Sequence, residues 1–190
     1  MDRARRNALV GLVADRAHYE LVSDALAQAK VSVWIGTANV KEMMFEAPVG
    51  SRARARGRYV SVLQLLEERV RQGVEARLLH AGVPSRAFRA ELARRRGLGS
   101  PGFQMRQCPR VHLKMIAVDG SLLYLGSANF TGAGLGAKGE NRRNFELGIV
   151  TDDEQLLDAT QACFDRIWSG AHCGACRLRA QCPGPLDRDC

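Results

Sequence analysis

An α/β fold is the architecture this 190-residue chain predicts, and three observations carry that reading. Apolar runs of strand length alternate with stretches of helical spacing. Residues 31–80 read as strand, helix, strand, a unit whose crossover makes its two strands parallel. Asp119-Gly120, set between two apolar runs, marks a tight hairpin.

The elements follow in chain order. An amphipathic helix is expected over residues 2–29, with Leu9, Leu12 and Val13 on one side. Residues 31–36 (VSVWIG) read as a buried strand, and a loop runs through Pro48 and Gly50. Residues 59–72 place Val62, Leu65, Leu66 and Val70 at helical spacing, and Gly73 suits the position just past a helix. Residues 74–80 read as a second strand and residues 85–96 as a short helix. Strands are expected over 103–108, 111–118 and 122–126. A Gly-rich loop covers 131–143, a further strand 144–151 and the last helix 152–168, whose first residues are Asp152, Asp153 and Glu154. Acidic residues there complement the positive end of the helix dipole. The domain organisation is an N-terminal helix (1–29), one α/β domain (30–170) and a cysteine-rich tail (171–190).

The length fits one domain of about 100–200 residues. With 46% hydrophobic and 25% charged residues, the chain has the apolar content a packed core needs, which argues against wholesale disorder. No apolar run approaches the ~20 residues of a membrane span. The first residues, Met1-Asp2-Arg3-Ala4-Arg5-Arg6 and then 7–14, look superficially like a short signal peptide. Asp15 and Arg16 interrupt it and a small-residue cleavage pattern is missing. A cytoplasmic location is therefore expected.

The charge is one-sided. There are 28 Lys+Arg against 20 Asp+Glu, a net charge of +8. Arginine supplies 24 of those cations, and only Lys30, Lys41, Lys114 and Lys138 are lysines. Such a surplus suits a polyanionic partner, though an Arg-rich composition alone would produce it too. Arg52, Arg54, Arg56 and Arg58 recur at every second position. In an extended segment they share one side and could track a phosphate backbone. Further arginines cluster at 86–96 and 106–110. Aromatic residues make up 6%, too few for a base-stacking platform, so binding driven by the phosphate backbone is expected.

The stretch from His112 to Asn129 carries the chemistry. Strand alternation puts His112 and Lys114 on one face. Ser127 and Asn129 share a face at the end of the adjoining strand. An imidazole, an ammonium, a hydroxyl and an amide could thus converge. That set suits a phosphate: a point charge, directed donors, and a ring nitrogen able to attack phosphorus or shuttle a proton.

The pattern His112-x-Lys114-x4-Asp119-x6-Gly126-Ser127-x-Asn129 resembles, without a gap, the signature of the phospholipase D superfamily. Asn144-Phe145-Glu146 resembles that family's downstream N-x-E element, and the resemblance spans residues 31–168. It implies an α/β/α sandwich with a mixed, largely parallel sheet, to which this chain adds a short metal-binding C-terminal tail. It further implies phosphodiester cleavage through a covalent phosphohistidine, with no metal in catalysis. The family brings two motif copies to one active site and this chain has one, so the resemblance implies a homodimer with two His112 residues across a two-fold axis. By the same resemblance His112 is the nucleophile, Lys114, Ser127 and Asn129 hold phosphoryl oxygens, Glu146 orients the histidine and Asp119 supports the site, with a purely structural role at its hairpin as the alternative for Asp119. The segment between Asn129 and Asn144 is a few residues longer than in compact single-motif nucleases of the family. It carries Arg142 and Arg143, candidate substrate-backbone contacts. The expected substrate is DNA or RNA, with no stable membrane association. The alternatives are a phospholipid phosphodiesterase or transferase and an inactive nucleic-acid-binding subunit.

The tail reads Cys173-x2-Cys176-x5-Cys182-x7-Cys190. A C-x2-C pair is a chelating knuckle, and four thiolates in so short a span suit structural zinc. A [4Fe–4S] cluster is the alternative, since C-x2-C-x5-C resembles the iron–sulfur run of several DNA-repair glycosylases and nucleases. Cys163 and His172 are further candidate ligands, while Cys108 reads as a packed strand residue.

Overall fold

The computed structural model describes residues 7–47 and 56–188. Seven strands form one sheet: β1 (Gly11–Ala14), β2 (Ser32–Thr37), β5 (Glu75–His80), β6 (Phe103–Gln107), β7 (Met115–Val118), β8 (Leu122–Gly126) and β9 (Leu147–Thr151). A separate two-stranded ribbon pairs β3 (Met44–Glu46) with β4 (Tyr59–Ser61). Among the described residues four α-helices complete the fold: α1 (Ala17–Gln28), α2 (Val62–Arg71), α3 (Arg86–Arg94) and α4 (Glu154–Trp168).

The sheet order is β1-β9-β8-β7-β2-β5-β6. It is mixed, but the expectation of a largely parallel sheet is corrected. Only β2–β5 and β5–β6 pair parallel, while β1–β9, β9–β8, β8–β7 and β7–β2 pair antiparallel. Parallel pairing needs a crossover, and the crossovers through α2 and α3 occupy only the first half. After β6 the chain turns back through a hairpin and a loop.

Period-two alternation sorts the sheet into two cores. Val33 and Ile35 of β2, Ala76 and Leu78 of β5, and Ile116 and Val118 of β7 pack with residues of α1, α2 and α3, such as Val22, Leu66 and Phe88. Their neighbours Trp34, Leu79, Met115 and Ala117 pack instead with Leu157, Phe164 and Trp168 of α4. Helices thus cover both faces, which is why these strands read as near-continuous apolar runs. Ser61, Ser85 and Asp153 cap α2, α3 and α4 with side-chain oxygens that accept from helix amides, satisfying donors that the first turn leaves orphaned.

The helix expected over residues 2–29 is also corrected. Within the described part, residues 11–14 form an edge strand along β9, with Leu12 opposite Ile149. Asp15 then takes a positive φ of 50°, and the helix spans only Ala17–Gln28. Pairing with β9 competes with local helical propensity and wins, because it satisfies a row of strand amides that would otherwise sit at an open edge. The N-terminal segment therefore extends the sheet. Similarly, residues 59–61 join the ribbon before α2 begins, and β7 starts only at Met115.

Candidate active site

The motif residues gather at one end of the sheet, where β2 and β5 finish and β7 begins. Residues 111–114 lead into β7 without pairing as strand. Val111 is buried and His112 exposed. The Lys114 amide carbonyl accepts from the Gly126 amide (3.1 Å), which sets Lys114 beside the end of β8. Its ammonium donates to the His112 carbonyl (3.1 Å). Burial holds the Lys114 ammonium below the ordinary lysine value, opposed by the charge of Glu146.

Ser127 is locked to the start of β9. Its amide donates to the Leu147 carbonyl (2.9 Å), its hydroxyl accepts from the Leu147 amide (3.0 Å) and donates to Glu146 Oε2. Asn144 Nδ2 donates to Glu146 Oε1 (3.0 Å). Both Glu146 oxygens are thus engaged by Ser127 and Asn144. Within one chain Glu146 joins the motif's Ser127 to Asn144 of the downstream N-x-E element.

Beyond Ser127 the chain crosses the start of β7 toward β2. Asn129 Oδ1 accepts from the Asn39 amide (3.1 Å) and lies 3.4 Å from Thr37 Oγ1. Thr37 is buried and its hydroxyl accepts from the Phe130 amide (2.9 Å). Thr37 and Asn39 therefore position Asn129, a role sequence reasoning missed because both lie some 90 residues upstream.

Tyr124 explains the motif's glycine. Its ring is buried beneath the site and its hydroxyl meets His18 Nδ1 at 3.0 Å. Burial pushes its phenol up to about 12, assisted by the nearby Glu146 charge and opposed by a hydrogen bond with the Ala128 backbone. A Cβ on Gly126 would stand 2.3 Å from that hydroxyl oxygen, and one on the paired Gly148 would stand 2.6 Å from the ring. Only glycine lets the phenol pass between the two strand ends.

Asp119 does not join this group. It sits at the opposite end of β7, five residues or roughly 16 Å of strand rise from Lys114. At a φ of 55° its carboxylate accepts from the amides of Lys30 (2.9 Å), Val31 (2.7 Å) and Ser32 (2.9 Å). Burial pushes the carboxyl up, but these three donors outweigh it and hold Asp119 below the ordinary aspartate value. Its role is to tie the β7–β8 turn to the start of β2.

Of the candidate substrate contacts, Arg52 and Arg54 lie outside the described residues. Arg56 and Arg58 are exposed on the connection between β3 and β4. The lead-in to that ribbon touches the site, since Val40 bridges to Phe130. Arg142 is exposed, and Arg143 lies 3.6 Å from the exposed Glu140 in the loop before Glu146. In the tail, Cys173, Cys176 and Cys182 are free thiols that share the wall of one cavity. Cys190 lies outside the described residues. Cys108 borders that cavity too, where the sequence placed it as packing alone. Among the described residues no group of three or more His, Cys, Asp and Glu side chains stands ready-made to hold a metal ion.

The sequence matches the family described as cardiolipin synthase, PLD-like domain, over residues 22–168. The chain belongs to the phospholipase D superfamily. Solved structures agree on the fold. Nuc from Salmonella typhimurium, a phospholipase D family member, is 19% identical with a TM-score of 0.59, covering 86% of this chain and 95% of its own. NucT from Helicobacter pylori is 13% identical with a TM-score of 0.58, covering 84% and 95%. Phosphatidylserine synthase from Haemophilus influenzae is 14% identical with a TM-score of 0.55, covering 83% of this chain but 38% of its own. No curated protein sequence matches. Phosphodiesterase chemistry of the phospholipase D type is thus the activity class of this phospholipase D-like chain.

Proposed function

We propose that the chain is a nuclease, cleaving DNA or RNA through a phosphohistidine on His112 without a catalytic metal. The observation that carries this reading is the convergence at one sheet end of an exposed imidazole, a partly buried ammonium and the Ser127–Glu146–Asn144 cluster. The imidazole nitrogen attacks phosphorus, a P–N bond forms and the bond to the leaving oxygen breaks. A proton must reach that oxygen. The single motif copy leaves this to His112 of a second chain, met across a two-fold axis. Water, deprotonated by that second His112, then attacks phosphorus and breaks the P–N bond, which restores both histidines. Lys114, Ser127 and Asn129 stabilise the charge that develops on the phosphoryl oxygens.

Nucleic acid is favoured by the net charge of +8 and by the exposed Arg56, Arg58 and Arg142. Neutralised backbone phosphates release counterions, so binding of this kind weakens steeply with salt. No helix among the described residues is long and apolar enough to cross a membrane. One observation favours a lipid substrate instead. Phe145 is 99% exposed and Leu147 57%, flanking Glu146 with an apolar rim. In the dimeric reading that rim is what the second chain covers.

The test is cleavage of plasmid, single-stranded DNA, RNA and phospholipid vesicles in EDTA, with the protein's own metal content followed, beside His112→Ala. Nucleic-acid cleavage that persists in EDTA and disappears in the variant is the expected result. Turnover of lipid alone would replace the substrate, and a fully active monomer would overturn the shared site.

A further inference from the structure

The tail cysteines are separated from Cys108 by more than sixty residues, yet Cys108, Cys173, Cys176 and Cys182 border one cavity. The rest of its wall is largely apolar, including Pro109, Leu178, Pro185 and Leu186. All four cysteines are free thiols. Cys163 and His172 border an adjoining cavity of about 250 Å³, whose wall also includes Cys108, Cys173 and Cys176; Cys182 lines only the first.

We propose that Cys108, Cys173, Cys176 and Cys182 form one four-thiolate metal site, for a zinc ion or an iron–sulfur cluster, and that Cys108 rather than Cys190 completes it. Both centres take the same donor set, four cysteine sulfurs. The four sulfurs line one wall without forming a ready-made coordination shell, so an ion would draw them together, and the short turns of the tail suit that closure. Cys173 and Cys176 close a tight turn, with the Cys176 amide donating to the Cys173 carbonyl (3.2 Å), and the next turns follow at Arg179 and Cys182.

The charges fit as well. Four thiolates around a doubly positive centre leave a net double negative charge in an apolar wall, which is costly without counter-charges. Two guanidinium groups supply them. Arg110 Nη1 lies 3.6 Å from Cys176 Sγ. The charge of Arg179 acts on Cys173 and Cys176, and its side chain is held by Asp187 at 2.6 Å. Each thiol gives its proton to solvent on binding.

The site has a structural consequence. Cys108 opens the segment Pro109-Arg110-Val111 that leads into His112, so a metal there clamps the tail onto the backbone that presents the exposed imidazole. The tail is too short and polar to fold alone, and metal binding supplies what its core lacks.

The full-length chain, produced with iron and zinc available and purified without oxygen, is assayed for metals and acid-labile sulfide. Iron with sulfide and absorbance around 400 nm identifies a cluster, and about one zinc per chain without sulfide identifies the single ion. Either supports the site if it is lost in Cys108→Ser and Cys176→Ser and kept in Cys163→Ser and Cys190→Ser. Wild-type protein free of both metals would overturn the proposal, as would retention in Cys108→Ser with loss in Cys190→Ser. Should Cys108→Ser fail to fold, X-ray absorption of the wild-type metal decides: four sulfur neighbours support the site, and nitrogen or oxygen neighbours overturn it. None of these readouts depends on nuclease activity.

Discussion

The two ends of β7 carry residues of the same short motif and have opposite physical characters. At one end Asp119 is fastened by three backbone amides and strained into a positive φ. At the other, His112 is exposed and Lys114 is fastened by a single bond to its own neighbour's carbonyl. A group whose hydrogen-bonding capacity is used up holds the fold. A group left unfilled is available to substrate. The motif therefore combines a reactive end and a structural end, kept apart by the length of one strand.

The largest expected effect tests the reactive end. His112→Ala should lower cleavage by on the order of 10³-fold or more, since the nucleophile is removed, with the urea midpoint unchanged. Lys114→Ala should follow, with a loss of about 10²-fold in kcat/KM and again little change in stability. If either variant unfolds the chain, the division between the two ends is wrong.

Asp119→Ala should show the converse. Its three charge-assisted bonds make a loss of about 1.5–3 kcal/mol the expected cost in urea unfolding, while the refolded variant keeps kcat/KM within a few-fold. A collapse of activity at full stability would return Asp119 to the chemistry.

Acid should separate the ends in order. Burial holds His80, at the reactive end, below the ordinary histidine value, against the pull of its bond to the Gly82 carbonyl. Asp119 is also held below its ordinary value, by its amide bonds. For each group the depressed value means stability present above the unfolded pKa and lost as pH falls through the folded one. Stability should therefore fall first below about 6.5 and again below about 4. His80→Asn should flatten the first step and Asp119→Asn the second, as read by urea midpoints across pH.

The smallest effect concerns support beneath the site. Tyr124→Phe removes the hydroxyl that meets His18, and about 1 kcal/mol of stability should go with it. A modest drop in kcat without a change in KM would show that the phenol also steadies the strand ends carrying Ser127 and Glu146.

Much of this was legible in residues 112–129, because a contiguous motif on paired strands fixes which side chains share an end. The α/β layering followed from spacing and period, and Glu146 entered through the family resemblance, while its bond to Ser127 came only with the structure. The Thr37–Asn129 link, the Tyr124 hydroxyl beneath Gly126 and the meeting of Cys108 with the tail were not legible. They join residues far apart in the chain, and local periodicity carries no information about such pairs.

The sequence by itself determined the alternation of helix and strand, the motif that runs from His112 to Asn129 and the surplus of arginine, since each rests on composition or short-range spacing. Only the tertiary structure decided that the sheet is mostly antiparallel, that residues 11–14 extend it, that Asp119 is a tie and that Cys108 faces the tail. Those are outcomes of long-range pairing, in which backbone groups and side chains find partners that local propensity neither requires nor reveals.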